Sequence, residues 1–301
     1  MPCLANAVVD ESFLVLFDKK ERLLKSVLKL DRYWLLLVPV VILLGVFYLY
    51  PLVRVLLLSV TDPTVGIGNF ERLVIYHGPR KVMFNTFRIC AITTVISVSV
   101  AYLLACVMVH APPRRRRIML ALVLLTLWIS VLVRAFAWLI LLDDNGVVNN
   151  TLRALGLISQ PLALVRNETG VLIGMVHYLL PYAVLPLIAA MQAIDPALIR
   201  ASHSLGAGRV RTFLSIFVPL TLPGIAAAAV IVFVFSLGFF ITPSILGGGR
   251  VVMLAEYVSV TVLEELRWGF AAAQAVVLLV LTFMVLGIAG KLLGARRILP
   301  S

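Results

Sequence analysis

Acidic residues are scarce in this chain. Only 14 of its 301 residues are Asp or Glu, against 26 Lys and Arg, and 13% carry any charge. A water-soluble domain carries about twice that charged fraction, so a solvated globule is excluded. Cysteine is scarcer still. Cys3, Cys90 and Cys106 are too few and too scattered for a disulfide framework or a metal knuckle, and two of them fall in an apolar run, where they read as buried thiols. The four histidines, His77, His110, His177 and His203, have no metal-ligand spacing. No glycine-rich loop is followed by Lys and Ser or Thr, which removes ATP hydrolysis by a phosphate loop, and Gly247 to Gly249 read instead as a flexible external turn. With no paired acid and base and no metal set, the chain is not expected to be an enzyme or to hold a cofactor of its own. A cleavable signal is missing too, because the first long apolar run begins only near Tyr33, after a charged segment.

What the chain has in abundance is apolar surface. Hydrophobic residues make up 62% and the mean hydropathy is +1.08, more than one soluble core can hide, so the fold class is an all-α integral membrane protein. Six spans are predicted: Tyr33 to Ser59, Phe84 to His110, Ile118 to Leu142, Gly170 to Gln192, Val218 to Ile241 and about Phe270 to Gly290. Pro39, Gly45 and Pro51 interrupt the first, and Pro181 and Pro186 are expected to bend the fourth. Residues 1–32 read as an amphipathic cytoplasmic helix on the membrane, or as a partner-binding helix, and 291–301 as a cytoplasmic tail. A loop containing TPSILGGGR and a short amphipathic piece around Val258 to Leu266 lead into the last span. The tripeptides Asn149-Asn150-Thr151 and Asn167-Glu168-Thr169 match the glycosylation sequon.

A net charge of +12 could point to nucleic acid, but the basic residues are gathered on no single module. Four consecutive arginines, Arg114 to Arg117, sit directly between two spans, where they anchor a cytoplasmic turn. With both termini inside, sixteen Lys and Arg fall on the cytoplasmic side and seven outside, and that bias sets the orientation. Arg54, Arg88 and Arg134 lie within spans, where a cation must snorkel, pair or face water. Arg54 and Arg88 are near outer ends and are expected to snorkel. Arg134 lies deeper, so it faces the bundle interior, in a structural pair or in a functional role. Trp138, Tyr178, Tyr182, Phe235 and Phe239 add aromatic surface that packs the bundle or lines a path, and Asp143, Asp144 and Glu256 place carboxylates at the outer ends of spans.

The stretch from Asp195 to Ile225 carries Arg200, Arg209 and Arg211 between two apolar runs, so it is a surface loop. Asp195 followed by Pro196 starts a short helix and Gly206 stops it. Small residues, Ala201, Ser202, Ala207 and Gly208, allow another surface to approach the backbone. This loop resembles the coupling loop of ABC importer permeases, whose pattern is Glu-Ala-Ala, three residues, Gly, nine residues, Ile, one residue, Leu-Pro. The spacing is kept as Arg200-Ala201-Ser202, Gly206, Ile216 and Val218-Pro219, with Arg200, Ser202 and Val218 departing from the pattern. WISVLVRAFAWLILLDDNGVVN, MVHYLLPYAVLPL and VFSLGFFITPSILGGG extend the likeness to spermidine/putrescine-type permease subunits over about residues 80–290.

The resemblance implies a type I ABC importer permease fold in the bacterial inner membrane, with a transmembrane domain over 80–290 and a coupling loop over 195–217. It implies a second permease subunit, two ATPase subunits that hold the ATP and magnesium, and a periplasmic binding protein, all working by alternating access. Arg200, Ala201, Ser202, Leu205, Gly206, Ala207, Arg209 and Phe213 would meet the ATPase. Arg134, Trp138, Tyr178, Tyr182, Phe235 and Phe239 would line the path, with Asp143, Asp144 and Glu256 at its mouth. Polyamine is the first choice of cargo; a phosphonate or opine-like acid is the alternative, which Arg134 would favour. A channel or an ion-coupled transporter shares the hydropathy, but neither needs the coupling loop.

Overall fold

A computed structural model describes residues 34–295, with side chains over 37–291. The amphipathic helix expected over 1–32 and the end of the tail, 296–301, lie outside the described residues. All regular structure among the described residues is helical. The chain divides after Leu57 into two units.

The first unit holds α1 (Trp34–Leu44), a π-helical turn (Gly45–Leu49) and the first part of α2 (Tyr50–Thr61). The widened turn has a local cause. Proline lacks an N–H and its ring crowds the carbonyl four residues back, and the π-turn ends one residue before Tyr50-Pro51. The second unit repeats the device. There a π-turn, Phe213–Phe217, ends one residue before Val218-Pro219.

In the second unit α3 (Gly68–Ile75) is followed by α4 (His77–His110), which starts seven residues before the predicted span. A polar knot fixes this entry: Asn69 Nδ2 donates to the carbonyls of Ser59 at 3.1 Å and Asp62 at 2.6 Å. Asp62 Oδ2 in turn accepts the Gly269 N–H at 2.7 Å, at the start of α14 (Trp268–Ala295). Next comes α5 (Pro113–Leu125), a 3₁₀ turn (Thr126–Trp128), α6 (Val131–Leu142) and α7 (Val147–Ala154). The third predicted span is therefore not continuous: Pro113–Trp128 and Val131–Ala154 meet at 101°. Among the described residues five helices are long and apolar enough to cross a membrane, and the count is six if this bent pair is one broken span.

The fourth span is α8 (Glu168–Gln192), an unbroken helix through Pro181 and Pro186. It is followed by α9 (Pro196–Ser204), α10 (Arg209–Thr212) and α11 (Val218–Leu237). The segment read as a loop around TPSILGG is a short helix, α12 (Ile241–Gly247), closed by Gly248 and Gly249, both at positive φ. The piece before the last span is α13 (Leu254–Leu263).

α4, α8 and α11 form the core. Phe87 stands against Phe233 and Tyr102 against Thr221, so α4 and α11 run antiparallel. Arg88 pairs with Glu168 at one end and Cys106 meets Met191 at the other, so α4 and α8 run the same way. In lipid no hydrophobic force drives helices together, and close backbone approach through small residues replaces it. Ala101, Ala105, Ala183 and Ala228 are fully buried in this seam. A Cβ on Gly174 would stand 2.6 Å from Thr242 and Leu246 side-chain atoms, so glycine there lets α12 seat on α8.

Candidate functional site

The corner between α9 and α10 is built by its own residues. Asp195 Oδ1 accepts the Ala197 N–H at 2.8 Å, and Pro196 takes the first helical position. At the other end Gly206 has φ +81°, the Ala207 N–H donates to the Ser202 carbonyl at 3.1 Å and the Gly206 N–H to the His203 carbonyl at 3.0 Å. Those two bonds make a Schellman stop, which needs a left-handed residue at the position Gly206 holds. Ser202 Oγ and Thr212 Oγ1, both buried, lie 2.9 Å apart and fasten α9 to α10. Behind them Phe213 stacks on Phe217 at 5.4 Å, and Phe217 meets His110 at the end of α4 at 5.9 Å.

All eight residues expected to meet an ATPase fall in this corner. Leu205 is 88% exposed, and Arg200, Ala201, Arg209 and Phe213 are also exposed. Ser202 departs from that expectation: it faces inward, because its hydroxyl is engaged with Thr212. A groove of about 640 Å³ runs beside the corner, lined among others by Leu198, Ala201, Leu205, Gly206 and Pro219.

The six residues expected along a path also converge. Arg134 is only 5% exposed. Its Nη2 donates to the Thr126 carbonyl and, at 3.0 Å, to that of Ile129. Those carbonyls lie where α5 has ended, the negative pole of the helix, so the guanidinium caps the break. The same guanidinium sits 4.8 Å from the Tyr178 ring centre, a cation–π contact. From Tyr178 a ladder of rings continues to Tyr182 at 6.0 Å and Phe239 at 4.9 Å, and from Tyr182 to Phe235 at 4.8 Å. Trp138 Nε1 donates to His177 Nδ1 at 3.1 Å, joining α6 to α8. Of the two roles left open for Arg134, the geometry is that of the structural pair. Arg88 does not simply snorkel either, since it is paired with Glu168 in the first turn of α8.

The three acids placed at a mouth have different surroundings. Asp143 and Asp144 are exposed, and Asp143 lines a cleft of about 380 Å³ with Ile140 and Asn150. Glu256 is buried, and its Oε2 has no hydrogen-bond partner. Burial raises its carboxyl pKa, a backbone hydrogen bond from Met253 opposing the rise. Sequence reasoning passed over Asn149. It is fully buried: Nδ2 donates to the Asp143 and Leu162 carbonyls, both at 3.0 Å, and Oδ1 accepts the Leu162 N–H at 2.9 Å. It holds the segment after α7 onto the end of α6, and its place in a sequon had hidden that role.

Residues 96–298 match the family model described as binding-protein-dependent transport system inner membrane component. The spermidine/putrescine transport system permease protein PotB of Haemophilus influenzae is 31% identical over 219 residues, 72% of this chain and 77% of the relative. PotB of Escherichia coli is 29% identical over 222 residues, covering 73% and 80%. The molybdenum transport system permease ModB of Azotobacter vinelandii is 29% identical over 163 residues, 54% of this chain and 70% of ModB. Among solved structures, a chain of a bacterial ABC transporter that imports the acidic polysaccharide alginate superposes with a TM-score of 0.73 at 21% identity, over 93% of this chain and 100% of that one.

Proposed function

The chain belongs to the family of binding-protein-dependent transport system inner membrane components, with the type I ABC permease fold, and from that premise we propose that it is one of two permease subunits of a polyamine importer. Two ATPase subunits hold ATP and magnesium on the cytoplasmic side, and a periplasmic binding protein delivers spermidine or putrescine from the other. Both termini are cytoplasmic, which brings the α9–α10 corner to the ATPase side and agrees with the charge bias of the loops.

The observation that carries the coupling role is the Schellman turn at Gly206, which projects Leu205 from a corner braced by Ser202 and Thr212. A braced corner transmits force: closure of the ATPase pair pushes α9, and the π-turn and α11 pass the motion to the bundle. In this alternating access the substrate undergoes no chemistry. The cargo reading rests on the PotB relatives, and the ladder from Tyr178 to Phe235 offers it ring faces that attract ammonium groups. Arg134, buried and bonded to carbonyls, already occupies Tyr178, so the ring faces left to the cargo are those of Tyr182 and Phe235.

Uptake into proteoliposomes containing the assembled importer tests the cargo. Spermidine and putrescine are expected to be carried and 2-aminoethylphosphonate refused. Asp143→Asn with Asp144→Asn is expected to slow polyamine uptake, more at low salt, by weakening a cation funnel. Uptake of the phosphonate alone would replace polyamine with an anionic cargo.

A further inference from the structure

The charges of the α9–α10 corner define the partner surface it can accept. Arg200, His203, Arg209 and Arg211 are all exposed. Asp195 is the only carboxylate in 195–217, and its Oδ1 already accepts the Ala197 N–H. Among the described residues none of the three arginines is in an ion pair. Arg200 stands apart from the other two. It lies two residues before Ser202, hence about 200° around α9, on the face opposite the hydroxyl pair that fastens the corner. Its neighbours one turn away are Pro196, Ala197, His203 and Ser204, all exposed, and the His203 ring is turned to the Ala207 carbonyl, so none of them pairs with the guanidinium. Elsewhere on the corner Leu205 and Val210 are 88% and 72% exposed.

Resting on the reading of this corner as the element that docks the ATPase, we infer that Arg200 selects which ATPase is accepted. The socket that receives α9 carries a carboxylate opposite Arg200, and a socket built for the glutamate of the wider coupling-loop pattern is refused. The division of labour follows from the chemistry. Exposed leucine and valine supply area that any apolar socket takes up, so they confer little choice. A charge inside the contact does confer choice, because like charges brought together out of water cost far more than a rim charge contributes. Arginine adds a planar fork that meets a carboxylate through two parallel hydrogen bonds.

The test uses the importer assembled in nanodiscs from this chain, the second permease and the ATPase of the same system. ATPase retention and ATP turnover are measured for Arg200→Gln, Arg200→Glu and Gly206→Val. Retention is expected to fall by about tenfold or more in Arg200→Glu and by less in Arg200→Gln, with wild-type retention weakening as salt rises. Cysteine placed at position 200 is expected to cross-link to the ATPase, and changing the carboxylate found at that point to lysine restores retention to Arg200→Glu. If Arg200→Glu keeps both retention and turnover while Gly206→Val hydrolyses ATP without uptake in proteoliposomes, the inference is overturned and docking at this corner stands. If Gly206→Val also leaves uptake in proteoliposomes at the wild-type level and neither position 200 nor 205 cross-links, the docking reading itself fails. A loss in Arg200→Glu that follows replacement of phosphatidylglycerol by phosphatidylcholine, and that no ATPase change restores, assigns Arg200 to lipid phosphate and overturns the inference.

Discussion

At Gly206 a helix ends because its own residues end it; after Trp128 a helix ends and a side chain from the following helix holds the break. The first corner is local. Its cap, its left-handed glycine and its two closing hydrogen bonds all lie between Asp195 and Ala207. The second is tertiary: residues 126–130 contain neither glycine nor proline, and the freed carbonyls of Thr126 and Ile129 are taken up by Arg134, itself held over Tyr178 of another helix. A local corner survives movement of its surroundings and suits a part that is pushed. A corner held by a neighbour shifts when the neighbour shifts, and suits a part that must respond to the bundle.

The sharpest way to break this contrast is to remove the clamp. Arg134→Ala leaves two carbonyls without partners in apolar surroundings, at about 1–3 kcal/mol each. The melting midpoint of the detergent-solubilised subunit is expected to fall by about 5 °C or more. Arg134→Lys, which keeps a donor and a charge, is expected to recover part of that loss. A change confined to the KM for cargo, with stability intact, would instead make Arg134 a substrate contact.

Next in size is Gly206→Val, which forces a β-branched residue to positive φ at about 1–3 kcal/mol. No atom lies within 4 Å of a Cβ built there, so the strain is in the backbone and not in packing. Subunit insertion is expected to be kept and melting to fall by a few degrees, while ATP hydrolysis runs on without uptake. Gly206→Asn, which tolerates the left-handed region, is expected to keep part of the coupling. Normal uptake by the valine variant would show that the turn transmits nothing.

These two corners also mark what could be read from the chain itself. Gly206, Asp195 and Pro196 act on their own backbone, so spacing alone places them, and the six hydropathy peaks place the spans. The 101° break could not be read, because α5 and α6 form one apolar stretch and the residue that parts them lies outside the gap. Asn149 escaped for a similar reason: its partners include Leu162, thirteen residues on. The convergence of Arg134, Trp138, Tyr178 and Phe235 depends on how three helices are rotated, and aromatic composition carries no angle.

Two smaller effects sharpen the picture. Asp195→Ala removes the N-cap of α9 and is expected to cost about 1 kcal/mol. Faster hydrogen exchange confined to the amides of Ala197 to Ile199 would confirm that the corner is locally specified; exchange spreading into α11 would argue against it. Glu256→Gln is expected to be mildly stabilising at neutral pH. Its folded carboxyl pKa is raised by burial, so the stability it contributes is present in acid and lost as pH rises through that raised value. Wild-type melting should therefore fall on the alkaline side relative to the glutamine variant. Parallel pH profiles for the two proteins would mean that the carboxyl is solvated.

The π-turn at Phe213–Phe217 has a consequence for chain length. A π-turn is an α-helix with one surplus residue, and each helical residue advances the side chains by about 100°. That surplus therefore sets the angular phase between the Gly206 corner and every contact α11 makes, from Thr221 to Leu237. A one-residue deletion within 213–217 would leave a regular helix of unchanged hydropathy with its buried stripe turned away from α4 and α8. The count of residues here is thus under tighter constraint than their identity, and a relative of altered length at this point must compensate by re-facing the whole span.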